Sequence, residues 1–368
     1  MSGPKVALVH DYIREYGGAE RVLKTLTELF PNAPIHTAFR VRGSTADRQF
    51  KGRKIIESFL APLLKIDNFY SPLRFLIPVI WKSFDLSGYD LVISSASWYV
   101  TRGFKVGPKT KVICYCHTPP RWLYGYKTSI EFQKYWPVRI YAAIIGHFMR
   151  IYDFNAAQKV DHFIANSKNV ADRIWKFYRR KSEVIYPPVE LVDSPEIQKG
   201  NYYLIISRIV GGKGLDLAIK AAIKLGIRLK IAGKPAGYYT EYKVLQKLAK
   251  KNVEFLGYVT DEELAKLYKG AKAFLALSQD EDFGITPVEA MLAGTPVVAF
   301  RGGGYLESVI DGKTGVFFDE PTVSSLVAAI KKLGKIKIDP EDCIKQASKF
   351  SKERFKKEIK NFVESRVK

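Results

Sequence analysis

Apolar positions in this chain come in short blocks, and amphipathic stretches separate them. The first block lies in "KVALVHDY" (5–12), followed by the turn "EYGG" and then "AERVLKTLTELF", Ala19–Phe30, with helical spacing. A short continuous apolar block, a glycine turn and a helix predict a buried parallel strand feeding a crossover. Similar strand blocks are "DLVISSA" (90–96), "KVICYCH" (111–117) and "HFIANS" (162–167). The pattern breaks at "VIYPPVELVDSPEIQKGN", so a boundary is expected near Pro187–Gly200. A second series follows: "YYLIISR", "RLKIAG", "VEFLGYV", "AFLALS" and "PVVAF" as strands, with "GLDLAIKAAIKL", "DEELAKLYKGA" and "PVEAMLAG" as helices. Strands alternating with helices predict an α/β protein of two doubly wound domains. Such sheets bind ligands beyond the carboxyl ends of their strands, so a central cleft between the two domains is expected. The expected domains are 1–190 and 200–350. A last helix, 351–368, should pack back toward the N-terminal domain through Phe355, Ile359, Phe362 and Val363.

Composition sharpens this reading in three ways. The formal net charge is +22, which calls for an anionic partner: a phosphorylated ligand, an anionic membrane or nucleic acid. A lysine-rich surface of a heat-adapted protein explains the same surplus without any partner. The three cysteines form no framework, since Cys114 and Cys116 alternate along one strand face, which suits a reducing compartment. No secretory leader and no membrane span is expected; "FLIPVIW" (75–81) and "IYAAIIGHFM" (140–149) are too short and are flanked by Lys or Arg.

Two places carry candidate chemistry. In "SRIVGGKG", Arg208 and Lys213 bracket a glycine turn at a strand's carboxyl end. A planar fork and a point charge there suit a diphosphate, although a solvated basic loop fits the same residues. In "SQDEDFGITPVEAMLAG", Glu281 and Glu289 are separated by seven residues, and Phe283-Gly284-Ile285 leads into a helix whose first amides are free. That spacing does not let the two carboxylates share one proton. It suits a grip on two parts of one long, hydroxyl-rich ligand.

These motifs in this order resemble glycosyltransferase family 4, whose retaining enzymes carry an E-x7-E signature. Arg208 and Lys213 match that family's diphosphate-binding pair, and Gly17-Gly18 its N-terminal glycine loop. "GYVTDEELAKLY" and "RGGGYLESVIDGKTGVFF" match further elements. "VHDYIREYGGAERV", "CYCHTPPRWLY", "DHFIANSKNVADRI" and "VIYPPVE" are similar to the branch of bacterial and archaeal mannosyltransferases that build O-antigens and lipid-linked glycans. The resemblance implies a GT-B fold and retaining hexosyl transfer from a nucleotide-sugar donor, with no metal or other cofactor required. Mannose from GDP-mannose is the implied donor, with UDP-glucose or UDP-GlcNAc as alternatives. The implied acceptor is a polysaccharide or lipid-linked glycan. By the same carry-over, His117, Arg208, Lys213 and Glu281 form the catalytic set. Gly17, Gly18, Gly257, Tyr258, Val259, Phe283, Gly284, Ile285 and Glu289 line the donor, with Glu289 on the ribose and Gly257-Tyr258-Val259 beside the base.

Competing readings attach to several residues. His117 either serves the transferred sugar or is a satisfied histidine at a strand end. His10 and Asp11, at the end of the first strand, are acceptor-side candidates. Asp280-x-Asp282 looks like a metal-binding D-x-D pair, yet two cations already supply positive charge, so both are expected to be turn residues. His36, His147 and His162 read as structural. The segment Pro119–Lys181 interleaves Trp122, Tyr124, Tyr126, Tyr135, Trp136, Tyr141, Tyr152, Trp175 and Tyr178 with Lys and Arg. It reads as core plus solvated faces, or as a patch for an anionic membrane surface, which would place the protein in the cytoplasm on the inner face of the membrane. A nucleic-acid-binding protein is the remote alternative. No recognition motif supports it, so no nucleic-acid partner is expected.

Overall fold

A computed structural model describes residues 4–66, 70–126, 135–195, 197–235 and 239–367. The chain forms two compact units: one of Met1–Lys127, Phe132–Pro188 and Lys352–Lys368, the other built from Val189–Ser351. The first unit holds a seven-stranded parallel sheet. Its strands are β1 (Val6–His10), β2 (Ile35–Thr37), β3 (Ile55–Glu57), β4 (Leu91–Ala96), β5 (Lys111–Cys116), β6 (His162–Ala165) and β7 (Ser182–Val184), in the order β3-β2-β1-β4-β5-β6-β7. Both faces of the sheet are covered, which is why its central strands read as continuous apolar blocks. Ala7 and Val9 of β1, Val92 and Ala96 of β4, and Cys114 and Cys116 of β5 enter one core cluster. Val6 and Leu8, Leu91 and Ile93, and Ile113 and Tyr115 enter the cluster on the other face. The two cysteines therefore share a face, both are buried, and both are free thiols.

That second cluster takes in the C-terminal helix Lys352–Arg366 through Phe355, Ile359, Phe362 and Val363. They meet Leu23 and Leu26 of the helix Gly18–Leu29, and Lys352 and Lys356 both pair with Glu28, at 2.9 and 2.6 Å. Each such buried apolar side chain is worth about 1.5–3 kcal/mol, far more than the surface ion pairs beside it.

The second unit is a six-stranded parallel sheet of β8 (Tyr203–Ile206), β9 (Leu229–Ala232), β10 (Val253–Gly257), β11 (Ala273–Ala276), β12 (Val297–Phe300) and β13 (Gly315–Phe318). Its order is β10-β9-β8-β11-β12-β13. In each unit the first strand lies between its second and its fourth, so the winding reverses there. That reversal opens a crevice at the carboxyl ends of the two strands flanking it. The crevice falls between β1 and β4 in the first unit and between β8 and β11 in the second.

Candidate functional site

Arg208, Lys213, Glu281, Phe283 and Gly284 lie at the β8–β11 crevice. β8 ends at Ile206, and Arg208 follows it, exposed. Among the described residues its guanidinium meets no carboxylate. The chain then turns through Gly212 (φ +81°) and Gly214 (φ +68°) into the helix Leu215–Leu225. At Gly214 the fold demands glycine twice over: the backbone is left-handed, and an added Cβ would lie 2.7 Å from Leu277 Cβ and 3.0 Å from its carbonyl oxygen. This close approach sets the Lys213 turn against the end of β11. Lys213 Nζ sits 2.7 Å from Glu281 Oε2, with the two side chains 29% and 20% exposed. The two families of charge that sequence spacing suggested are thus in direct contact.

Glu281, Asp282 and Phe283 form a turn that is packed from outside by "RGGGY". Gly304 N–H donates to the Glu281 carbonyl at 2.9 Å. An added Cβ would lie 2.4 Å from the Glu281 carbonyl oxygen at Gly303, and 2.3 Å from Phe283 Cα at Gly304. Tyr305 closes the same pocket, its hydroxyl 3.5 Å from Glu281 Oε2. Gly284 caps the helix Ile285–Leu292 at φ +86°, where a Cβ would strike the Tyr305 ring at 2.6 Å. Phe283 is buried on Phe350, with ring centroids 5.3 Å apart. The sequence pattern assigns Gly303, Gly304, Tyr305 and Tyr268 no individual role. The run of three glycines was the visible signal.

Glu289 has a different setting from Glu281. It is 1% exposed and accepts a hydrogen bond from the buried Tyr268 hydroxyl at 2.7 Å. Ile285 opens its helix one turn earlier. Gly257 ends β10, two strands from β8 on the same edge, and Tyr258 and Val259 follow it. Gly257 turns at φ +68° and its carbonyl accepts from Gly233 N–H at 2.7 Å. Tyr258 is exposed, with Lys234 Nζ 4.6 Å from its ring centroid. Asp280 and Asp282 are half-buried in the turn, beside Glu281 in sequence.

The β1–β4 crevice of the first unit carries a connected polar chain. Gly17 N–H donates to Glu20 Oε2 at 2.9 Å, and Glu20 Oε1 lies 3.3 Å from His10 Nε2. His10 Nδ1 meets Ser95 Oγ at 3.0 Å, and Ser95 Oγ meets His117 Nε2 at 2.8 Å. Burial and the neighbouring His10 push the His117 ring down to about 3, against the pull of Asp11. His117 is therefore a neutral hydrogen-bonding group at neutral pH. Gly17, at φ −137°, has ordinary extended backbone, and the flexible Glu20 carboxylate is what an added Cβ would meet, at 3.3 Å. The fold alone gives little reason for glycine at this position. Gly18 begins the helix beside it.

Asp11, the other acceptor-side candidate, acts in the structure as a clamp on the loop after β4. Its carboxylate is 3% exposed and accepts from Ser97 N–H and Oγ–H, Trp98 N–H, Tyr99 N–H and the Thr101 hydroxyl. It pins the loop after β4, where Val100 is held at φ +48°. His36 is buried edge-on against Phe84 and Tyr89, and burial pushes it down to about 4. His162 packs on Phe362 and His147 on Phe148. The aromatic segment divides. Tyr124 and Tyr178 bind the buried Arg102–Asp153 pair, whereas Tyr135, Trp136, Tyr141 and Trp175 are exposed.

Comparison with known proteins gives two family matches that abut. Residues 16–192 match "Glycosyltransferase Family 4" and residues 190–350 match "Glycosyl transferases group 1". The chain is 27% identical over 292 residues to alpha-1,3/1,6-mannosyltransferase ALG2 of Dictyostelium discoideum, covering 67% of each protein. It is also 27% identical over 284 residues to the Mus musculus protein of that name, covering 67% of this chain and 66% of the relative. These matches span about two thirds of either relative's length. Among solved structures, Anabaena Alr3699/HepE in complex with UDP and glucose superposes with a TM-score of 0.74 at 18% identity, covering 98% of this chain and all of that one. At that identity the likeness speaks for fold, and the fold is GT-B, with two Rossmann-like domains.

Proposed function

We propose, from the premise that this chain belongs to the family 4 glycosyltransferases, that it transfers mannose from GDP-mannose with retention onto a lipid-linked or polysaccharide glycan. The observation that carries the transferase reading is the pairing of an exposed, carboxylate-free Arg208 with a Lys213–Glu281 contact at the β8–β11 crevice. The mannose assignment is supported by the two ALG2 relatives. Arg208 and Lys213 neutralise the diphosphate as its charge grows, a fixed electrostatic term of the kind that dominates such catalysis. Glu281 accepts from the sugar hydroxyls, and the Phe283 and Gly284 amides stand beside it. The bond from the sugar's anomeric carbon to the phosphate oxygen breaks. A bond from that carbon to the acceptor oxygen forms on the same face, and the acceptor's proton passes to the leaving phosphate. His117, being neutral, hydrogen-bonds a sugar hydroxyl and adds no charge. Glu289 serves the ribose, with Tyr268 fixing its orientation. No metal or other cofactor enters this scheme, and full activity in excess chelator is its expected consequence. Loss restored by a divalent ion would assign Asp280 and Asp282 a ligand role.

The reading is tested by thermal shift against GDP, UDP, ADP and their sugars. Stabilisation grows with ligand concentration over Kd, so the matching base shifts the melting temperature most. GDP and GDP-mannose are expected to lead. A second reading, a UDP-sugar donor, is favoured by the UDP and glucose in the Alr3699/HepE complex, and a UDP-led profile would replace GDP-mannose. No shift with any nucleotide, together with tight RNA binding, would replace the enzyme by a nucleic-acid-binding protein. The acceptor class implies work in the cytoplasm at the inner face of a membrane. Among the described residues, no helix is long and apolar enough to cross one.

A further inference from the structure

The helix Trp136–Gln158 buries one side and leaves the other open and mostly apolar, with His147 and Asn155 among the exposed polar residues within it. Gly146, Met149, Asp153, Ala156 and Ala157 face the first unit's core. At 3.6 residues per turn, Trp136, Ile140, Ile144, Phe148, Ile151 and Phe154 fall in one sector of about 120°, opposite that buried side. They are 71%, 51%, 53%, 64%, 49% and 39% exposed. The stripe is about 27 Å long at 1.5 Å per residue. Large apolar residues in such a row are not the scattered singles of an ordinary surface. The Tyr141 hydroxyl donates to the Pro72 carbonyl, which brings the short helical turn Pro72–Leu76 beside this helix. That neighbouring segment exposes Phe75 and, further on, Val79.

Charge identifies what the stripe meets. The helix has one acidic residue, Asp153, and it is buried against Arg102. Arg139 and Arg150 are exposed and lie about 60° and about 40° beyond one edge of the apolar sector, and Arg150 Nη1 donates to the Leu123 carbonyl at 3.3 Å. From Trp136 to Lys181 nine Lys or Arg stand against three Asp, so the chain through and after this helix is basic. A second copy of this chain laid stripe on stripe would set Arg139 and Arg150 against themselves, in a protein already carrying +22. An anionic lipid surface has the opposite charge and an apolar interior at the depth such a face reaches.

We propose that the Trp136–Phe154 face is a monotopic membrane-docking surface for anionic lipid bilayers. The helix lies in the plane of the headgroups, inserts its six apolar side chains, and seats Arg139 and Arg150 among the phosphates. This rests on the lipid-linked acceptor reading for its purpose, and its test needs no turnover. The full chain is floated with phosphatidylcholine vesicles, with and without phosphatidylglycerol. Binding to the acidic vesicles is expected, with brominated acyl chains quenching Trp136. Trp136→Phe should remove that quench. Ile144→Asp together with Phe148→Asp should weaken binding by about tenfold or more, since each buried apolar side chain is worth at least that factor. Both sites are exposed, so melting temperature and nucleotide-induced shift should stay at wild-type values. Ile140→Ser gives a milder second variant and an intermediate loss. The proposal is overturned if wild type ignores acidic vesicles, if the double aspartate variant binds them equally, or if Trp136 is not quenched. It is also overturned if light scattering finds a wild-type dimer that the double variant dissolves. In each of those outcomes a retained nucleotide shift leaves the transferase reading standing.

Discussion

Replacing Lys213 by alanine separates what the lysine does for folding from what it does for chemistry. In the ligand-free protein Nζ is 2.7 Å from Glu281 Oε2, and both side chains are partly solvated. At that separation two unit charges in water attract by about 1.5 kcal/mol, and measured exposed pairs give about 0.2–1 kcal/mol after their entropy is counted. The variant should therefore lose about 1 kcal/mol of stability, or about 2–4 °C for a domain of this size. Glu281 keeps the Tyr305 hydroxyl nearby and has access to water. Transfer should suffer far more. Removing one fixed group that stabilises developing negative charge costs about 3–4 kcal/mol, a factor of 10² to 10³ in kcat. The assay pairs thermal melting with single-turnover transfer or donor hydrolysis, and adds GDP and GMP shifts. The extra stabilisation by GDP over GMP reports the second phosphate, and it should shrink in the variant. If the variant keeps activity within about threefold, or if its GDP–GMP difference is unchanged, Lys213 does not meet the diphosphate and the electrostatic reasoning fails.

Three further outcomes follow from the same geometry. Glu281→Ala and Glu289→Ala should each impair transfer strongly and Asp280→Ala weakly; Glu289→Ala should also cost about 1–3 kcal/mol of stability by removing the buried carboxylate that accepts from the Tyr268 hydroxyl, and equal kinetic losses for all three would undo the division of roles. Gly284→Ala must hold a left-handed backbone and push Tyr305 aside, costing about 2–4 kcal/mol by denaturant unfolding, whereas Gly17→Ala should cost under about 1 kcal/mol; similar costs at both would contradict the contacts described. His36, held at about 4, binds its proton more readily when unfolded, so its contribution is complete above pH 6.5 and is lost as pH falls toward 4, to a maximum of about 3 kcal/mol. Melting between pH 7 and 4.5 should therefore fall less steeply in His36→Phe, and an unchanged slope would show that other groups set the acid limit.

Sequence patterning read the fold's central parts because their signals are local. Buried parallel strands such as β1, β4 and β5 appear as apolar blocks, and a glycine turn with cations marks the end of β8. The strands β2, β3 and β7 are three residues each, too short to show any period, and β13 sits inside a glycine-rich run. What pattern could not reach are partnerships across long separations. Asp11 is claimed by backbone amides 86 to 88 residues away, so a carboxylate that looked available at a strand end is already occupied. The Tyr268 hydroxyl that orients Glu289 lies on a different helix. "IYAAIIGHFM" reads as an apolar stretch too short for a membrane span, and in the fold it is part of a 23-residue helix. Its sequence is apolar nearly all round, so periodicity could not tell the buried side from the open one.

The two crevices share a topology and differ in charge, and that difference argues for a division of labour. In the second unit the crevice holds an exposed Arg208 and a half-solvated Lys213, each able to meet a new anion. Their carboxylate neighbour, Glu281, is one that hydroxyls can share. In the first unit the corresponding crevice holds His10, Ser95 and His117, joined in a chain and shielded from water. A ring held near 3 carries no charge at neutral pH, and the carboxylate beside it, Asp11, is spent on the loop. Such a crevice offers directional hydrogen bonds and little net field, which suits neutral hydroxyls better than a diphosphate. Gly17 is the one point where the chain ends at a backbone amide, through Glu20. Glu20→Ala should therefore loosen the His10–Ser95–His117 chain and raise the apparent KM for a sugar substrate, with the GDP-induced thermal shift unchanged. If Glu20→Ala instead abolished the GDP shift and left the sugar KM alone, the anion would belong to the first unit's crevice and the assignment would have to be reversed.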